Sequence, residues 1–234
     1  MKIVLTNDDG IDAPGLQTLL TCVREVGQIV IVAPAKPQSG MAHRVTTRTP
    51  IRVAQIAQNR YSVDGTPADC SRIALKRIAP DAAWLVSGIN AGANLGSDVY
   101  NSGTVAAARE AAILGYRSIA ISQYIAKDQP INWKKTGFHA EAVLKMLMSQ
   151  NLEPSYFWNV NLPHSLDNQS KKTYKFCRLD INPHKYDYRK NQNDYIYDGS
   201  IHDRPRNPGS DVAVCFDESK IAITRIAVGS TELT

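Results

Sequence analysis

The strongest constraint on this chain is the order of segments at its amino end. Residues 2–6 (Lys-Ile-Val-Leu-Thr) are a short apolar run, residues 14–25 place Leu16, Leu19, Leu20 and Val23 on one helical face, and residues 28–33 (Gln-Ile-Val-Ile-Val-Ala) are a second apolar run. Runs this short and continuous suit strands covered on both faces. Pro14 suits a first helical turn and Gly27 a helix end. Strand, helix and strand in that order make a right-handed crossover and hence a parallel sheet. The chain then supplies more of the same. Strands are predicted at 83–89, 117–122 and 156–161, and helices at 66–78, 104–114 (closed by Gly115) and 132–149. Between 43 and 63, Thr46–Thr49, Ile51–Val53 and Arg60–Val63 read as short antiparallel strands.

Beyond Leu162 the pattern changes. Pro163, Pro183, Pro205 and Pro208 punctuate polar sequence that holds five of the ten tyrosines, and no helical period shows until residues 220–226 alternate as a late strand. The expected architecture is α/β: a parallel-core sheet flanked by helices over 1–162, a projecting β-rich extension over 163–217 that serves oligomerisation, and a returning strand with a short tail over 218–234. With 43% hydrophobic and 21% charged residues, the chain is neither disordered nor in need of staples. No apolar run reaches the ~20 residues of a membrane helix, and the first one ends in Asp8-Asp9, too short for a signal peptide. Four scattered cysteines without a CxxC pair exclude a disulfide framework and a zinc ribbon, so a cytoplasmic location is expected.

The net charge of +5 is unevenly spread, because residues 171–190 carry seven cations against Asp180 and Asp187. Tyr174, Phe176, Tyr186 and Tyr188 are interleaved with them. Such a segment reads as a solvated arm with tyrosines at an interface, or as a nucleic-acid surface. The former is the expectation, with nucleic acid left as the lesser alternative.

Chemistry is concentrated after the strands. Asn7-Asp8-Asp9-Gly10 follows the first. Neighbouring strand residues point to opposite faces, so two adjacent acids converge only where the backbone turns, which Gly10 permits. Two carboxylates ~4 Å apart repel by ~4 kcal/mol at an effective dielectric of 20, and a cation or a shared proton relieves them. An Asx turn with a helix cap is the structural alternative. The motif lacks the second Asp spacing of an aspartyl-phosphate phosphatase, the ligand offsets of an EF-hand are missing, and the chain has no P-loop. Ser39-Gly40 follows the second strand and offers an oxygen ligand or an ordinary turn. Residues 87–98 (Ser-Gly-Ile-Asn-Ala-Gly-Ala-Asn-Leu-Gly-Ser-Asp) follow the 83–89 strand, where Asn90 and Asn94 offer amide oxygens. Ser102-Gly103-Thr104 opens an Ala-rich helix, which serves as an N-cap and equally as an anion site. Thr66-Pro67-Ala68-Asp69 reads as a capping box, with ligand contact by Thr66 as the alternative. Strand ends thus supply Asp8, Asp9, Ser39 and Asn90, all oxygen donors, which selects Mg²⁺ or Mn²⁺ over zinc. A hard cation beside an anion-binding helix end suggests phosphoester chemistry.

These motifs, together with Ala13-Pro14-Gly15, Val32-Ala33-Pro34, Gly65-Thr66-Pro67-Ala68-Asp69-Cys70 and a later Gly209-Ser210-Asp211, resemble the SurE family of nucleoside-monophosphate phosphatases in order and spacing. The resemblance implies a Rossmann-like core, one divalent cation per subunit on Asp8, Asp9, Ser39 and Asn90, and phosphate contacts from Ser102, Gly103 and Thr104, with Asn94 beside them. Asp8 and Asp9 become the catalytic candidates, and Asn7, Thr66 and Tyr100 further substrate contacts. Where relatives commonly carry an aromatic residue just before Ser-Gly-Thr, this chain has Asn101, with Tyr100 one position earlier. A homodimer or homotetramer is also implied. The expected activity is hydrolysis of nucleoside 5′-monophosphates, and of 3′-monophosphates as a further class. Exopolyphosphatase action, or a non-catalytic nucleotide- or RNA-binding role, are the alternatives. No residue stands out as general acid for the leaving group; His43 lies in a suitable stretch, but the family pattern does not require it.

Overall fold

The computed structural model describes residues 1–165, 174–183, 187–199 and 201–229. In chain order the elements are β1 (Lys2–Thr6), α1 (Pro14–Val23), β2 (Gln28–Pro34), β3 (Val53–Ala57), β4 (Arg60–Val63), α2 (Pro67–Ile73, continued by a π turn over Ala74–Ile78), β5 (Trp84–Ala91), a 3-10 turn (Gly96–Tyr100), α3 (Gly103–Ile113), β6 (Arg117–Gln123), α4 (Trp133–Met148), β7 (Tyr156–Leu162), β8 (Tyr174–Phe176), β9 (Tyr188–Asn191), β10 (Asp194–Tyr197), α5 (Asp211–Phe216) and β11 (Ile221–Ala227).

Nine strands form one sheet in the order β3-β4-β2-β1-β5-β6-β7-β11-β8. Every pair from β4 to β7 is parallel. β3 and β11 add antiparallel strands on the two sides. The apolar runs alternate inside the sheet: Ile3 and Leu5 pack with Leu16 and Leu19 of α1 and Leu144 and Leu147 of α4. Val4, Val30 and Val32 face the other way, onto Cys70 and Leu75. The helices therefore cover both faces, as continuous apolar strands require. β1 has β2 on one side and β5 on the other. The strand order reverses at this point, and ligands of doubly wound sheets bind in the crevice outside the carboxyl ends there.

Two expectations are corrected. Thr46–Thr49 is not a strand, because Thr46 donates its N–H and hydroxyl to Asp69 (2.8 and 2.7 Å) and is drawn to the head of α2 instead. Past β7, less of the chain projects than 163–217. β8 is an edge strand of the main sheet, and α5 buries Val212, Val214 and Cys215. The hairpin of β9 and β10 does stand apart as its own sheet, with Tyr188, Tyr195 and Tyr197 exposed. Lys171, Lys172, Lys185 and Tyr186 of the basic–aromatic run lie outside the described residues. Among the described residues no helix is long and apolar enough to cross a membrane.

Candidate active site

At the end of β1 the chain turns sharply. Asn7 is buried and donates its amide to the Gly10 carbonyl (2.8 Å). Gly10 takes a φ of +104°, a value that favours glycine. The turn lets Asp8 and Asp9 reach one crevice. The Gln38 N–H donates to the Asp8 carbonyl (2.7 Å), which lays the loop after β2 alongside and brings in Ser39. From β5, the Ala91 N–H donates to Asp9 Oδ2 (3.3 Å), and the Asn90 amide nitrogen donates to the Gly92 carbonyl (2.7 Å). Gly88, with φ +141°, sits where any Cβ would collide with the Ile121 carbonyl of β6. Asp8, Asp9, Ser39 and Asn90 line one cavity of about 260 Å³, and Asn94, Asp98, Asn101 and Ser102 share its wall.

The head of α3 closes this cavity. The Ser102 hydroxyl accepts from the Val105 N–H (3.1 Å), so Ser102 is the N-cap. At Gly103 a Cβ would lie 2.8 Å from the Asp8 Cβ. Only a residue without a side chain lets the helix start against that carboxylate. Thr104 is fully buried and its hydroxyl donates to Asp8 Oδ1. Asp8 therefore sits at the positive end of α3. Burial pushes its carboxyl up to about 6, the Thr104 hydroxyl opposes this, and the Asp9 charge adds to the rise. Burial also raises Asp9, against the Ala91 N–H.

The remaining candidates are placed as follows. Of the expected phosphate contacts at the head of α3, Ser102 is on the cavity wall, Gly103 and Thr104 are not, and Thr104 is tied to Asp8. The Asn94 amide nitrogen donates to the Ser122 hydroxyl (2.8 Å), while the Asn94 backbone is gripped by Asn161, whose carboxamide accepts its N–H (2.8 Å) and donates to its carbonyl (3.0 Å). Asn7 and Thr66 are absent from the cavity wall. Thr66 caps α2 in a full capping box with Asp69, and its hydroxyl donates to the Arg44 carbonyl (2.7 Å). Tyr100 is exposed, with the Arg109 guanidinium 5.8 Å from its ring centre, and it too lies off the wall. His43 meets the buried Glu110 at 2.7 Å, and Glu110 also takes a bond from Arg72 at 2.6 Å. Against its burial, these two partners hold the Glu110 carboxyl below the usual range.

Asp98 and Asn101 belong to the wall and were not expected there. Asp98 was legible only as the acid closing the Gly/Asn-rich stretch. A larger cavity, of about 1040 Å³, lies against β8 and β11 between Phe176, Trp158 and Arg225. Among the described residues its lining holds two arginines and no acid or histidine, so a hard cation has no charged ligand there, and the chemistry selects the smaller cavity.

A family model described as survival protein SurE matches residues 3–185. The chain belongs to the SurE family. It is 47% identical over 228 residues to a provisionally named 5′-nucleotidase of Synechocystis sp., covering 97% of this chain and 100% of that one. It is 44% identical over 171 residues to the 5′-nucleotidase SurE of Mesorhizobium japonicum, covering 71% and 68%. The crystal structure of the SurE protein from Aquifex aeolicus superposes with a TM-score of 0.88 at 28% identity, covering 99% of this chain and 95% of that one. The SurE model match stops at residue 185, before α5 and β11, and the Aquifex SurE structure carries the likeness across the rest of the fold.

Proposed function

We propose that this SurE chain is a divalent-metal-dependent phosphomonoesterase that hydrolyses nucleoside 5′-monophosphates. One observation carries the reading. A pair of desolvated carboxylates and the amino end of α3 face the same small polar cavity at the switch point of the sheet. The names of the relatives from Synechocystis and Mesorhizobium point to the same reaction.

The donor set fits one hard cation, Mg²⁺ or Mn²⁺, per subunit. Asp8, Asp9, Ser39 and Asn90 would hold it; all four offer oxygen, and two are acids whose mutual repulsion a cation relieves. Among the described residues no group of three or more His, Cys, Asp or Glu forms a softer or more acidic alternative. When bound, the cation offsets phosphoryl charge and makes water more acidic. Ser102 and the Gly103 N–H, at the head of α3, grip the phosphate oxygens, with Asn94 alongside. Thr104 holds Asp8 in one orientation. Asp9, held through Oδ2 by Ala91, takes the proton of the attacking water at Oδ1. Phosphate release from a panel of nucleoside 5′- and 3′-monophosphates and short polyphosphates tests this. The 5′-monophosphates should be turned over fastest, and release from none of them would overturn the reading.

The same proposal includes self-association through the extension, as a homodimer or homotetramer. Support comes from the β9–β10 hairpin, whose exposed Tyr188, Tyr195, Ile196 and Tyr197 form an aromatic edge suited to an interface. Light scattering should give a dimer or tetramer that falls apart when 188–197 is replaced by a short turn; a monomeric wild type would refute it. We place the enzyme in the cytoplasm, where Cys22, Cys70, Cys177 and Cys215, all unpaired, stay reduced.

A further inference from the structure

The stretch between β5 and α3 is the least regular part of the site, and side chains from beyond β7 grip it. The Arg204 side chain is 5% exposed. Its Nη1 donates to Asp98 Oδ2 at 2.6 Å and its Nη2 to the Leu95 carbonyl at 3.2 Å. Asp211, fully buried, accepts the Gly96 N–H through Oδ2 (2.7 Å) and the Asp180 N–H through Oδ1 (2.8 Å). The two charged groups thus bracket Leu95–Asp98.

Asp98 is where this bracket meets the site. It shares the cavity wall with Asp8 and Asp9. Its carbonyl accepts the N–H groups of Asn101 (3.0 Å) and Ser102 (3.1 Å), so the turn that delivers Ser102 to the head of α3 hangs from it. Apolar packing at this spot is already supplied by Leu95, Val212, Val214 and Ala222. An ion pair whose guanidinium is buried and whose carboxylate is partly exposed adds little stability over such packing, because desolvation offsets most of its attraction. What the pair adds is direction: a guanidinium fork that bonds a carboxylate and a carbonyl at once fixes one arrangement of the turn.

We propose that Arg204 and Asp211 are positioning residues for the phosphate grip: they set Asp98, and through it Ser102, against the carboxylate pair. The inference rests on reading the cavity as a phosphomonoesterase site. It also divides the site into two parts. Asp8, Asp9 and Asn90 sit on the ends of β1 and β5, which pair with each other at the centre of the sheet, and the Arg204 and Asp211 bonds go to Leu95, Gly96 and Asp98 instead. The Ser102 end depends on those bonds. Disturbing Arg204 should therefore weaken the hold on phosphate and spare the hold on a cation.

The test uses the full chain as wild type, Arg204→Met, Arg204→Lys and Asp211→Asn. For each, melting is recorded, Mn²⁺ binding is read from the free-ion electron paramagnetic resonance signal, and inorganic phosphate is titrated calorimetrically with Mn²⁺ present. KM and kcat for a nucleoside 5′-monophosphate are measured alongside. Arg204→Met should weaken phosphate binding and raise KM about tenfold, the scale of one lost charge-assisted hydrogen bond. Its Mn²⁺ affinity should stay within about threefold of wild type, the scatter expected of a site left intact. Arg204→Lys keeps the charge without the fork and should fall between; it decides the matter if Arg204→Met does not fold. A folded variant with unchanged phosphate binding overturns the proposal, and so does loss of Mn²⁺ and phosphate binding in step. Wild type that binds phosphate and Mn²⁺ but never turns over nucleotides sinks the hydrolase reading alone, since the binding titrations still judge the anchor. Wild type that binds neither sinks both.

Discussion

The heads of α2 and α3 look alike in sequence and do different work. Each has a hydroxyl residue at the N-cap, Thr66 in one and Ser102 in the other, and each has a carboxylate at its positive end. In α2 the carboxylate is the helix's own Asp69, three residues on. It accepts from Thr66 N–H and is further tied to Thr46, so the end is closed. In α3 the carboxylate is Asp8, brought from β1, and it is held by Thr104. Its neighbours Asp9, Asn90 and Ser39 line an open cavity rather than a loop. A cap completed from within is structure. A cap completed by a distant acid, with small residues left at the helix start, leaves room for a ligand.

Removing one charge from each end should break the likeness. Asp8→Asn should lower kcat at least ~10³-fold, as expected when a charge essential to the transition state is lost. It should leave the melting temperature level or raised, since Asp8 is a desolvated carboxylate. Steady-state kinetics beside thermal melting reads both effects, and near-wild-type turnover would make Asp8 a turn residue only. Asp69→Asn should do the reverse. Three donors point at that carboxylate, so the amide leaves at least one unmet and costs about 2 kcal/mol of stability. Its kcat/KM should stay within about tenfold of wild type, because Asp69 is off the cavity wall although the head of α2 packs near Gly103. Denaturant unfolding checks the first statement and initial rates the second.

A smaller effect sharpens the contrast through pH. Glu110, near the middle of α3, has a lowered folded-state pKa relative to its ordinary 4.5, because the bonds from His43 and Arg72 outweigh its burial. A depressed acid stabilises fully above its ordinary value, and that contribution is lost as pH falls through the folded value. Glu110→Gln should therefore melt below wild type near neutral pH, and the gap should close as pH drops below 4.5. A gap that stays constant would show that the ion pairs with His43 and Arg72 do not contribute.

The same distinction explains what could be read from the sequence. β1 and β2 are continuous apolar runs and β5, β6 and β7 are largely apolar because both faces are covered, and the helices between them carry an apolar stripe, so the parallel core is legible. The α2 cap was legible too, since all its parts lie within four residues. The oxygen set at the ends of β1, β2 and β5 followed from the rule that such sheets present ligands there. The Thr46 contact to Asp69 was not legible, nor the docking of Thr104 on Asp8, nor the Arg204–Asp98 pair. Each joins residues 23, 96 and 106 positions apart, and no local pattern records a partner at that range. α5 leaves no sequence signal because six residues are too few for a helical period to show. β8 falls within the expected arm because three half-exposed residues carry no sign of the strand they join.

In the proposed reaction Asp8, Asp9, Ser39 and Asn90 work with a divalent cation beside the head of α3. The most direct measurement is phosphate release from a nucleoside 5′-monophosphate by protein stripped with EDTA, then resupplied with Mn²⁺ or Mg²⁺. Release should stop on stripping and return on resupply. Full activity in rigorously metal-free protein, or none with either ion restored, would contradict that reaction.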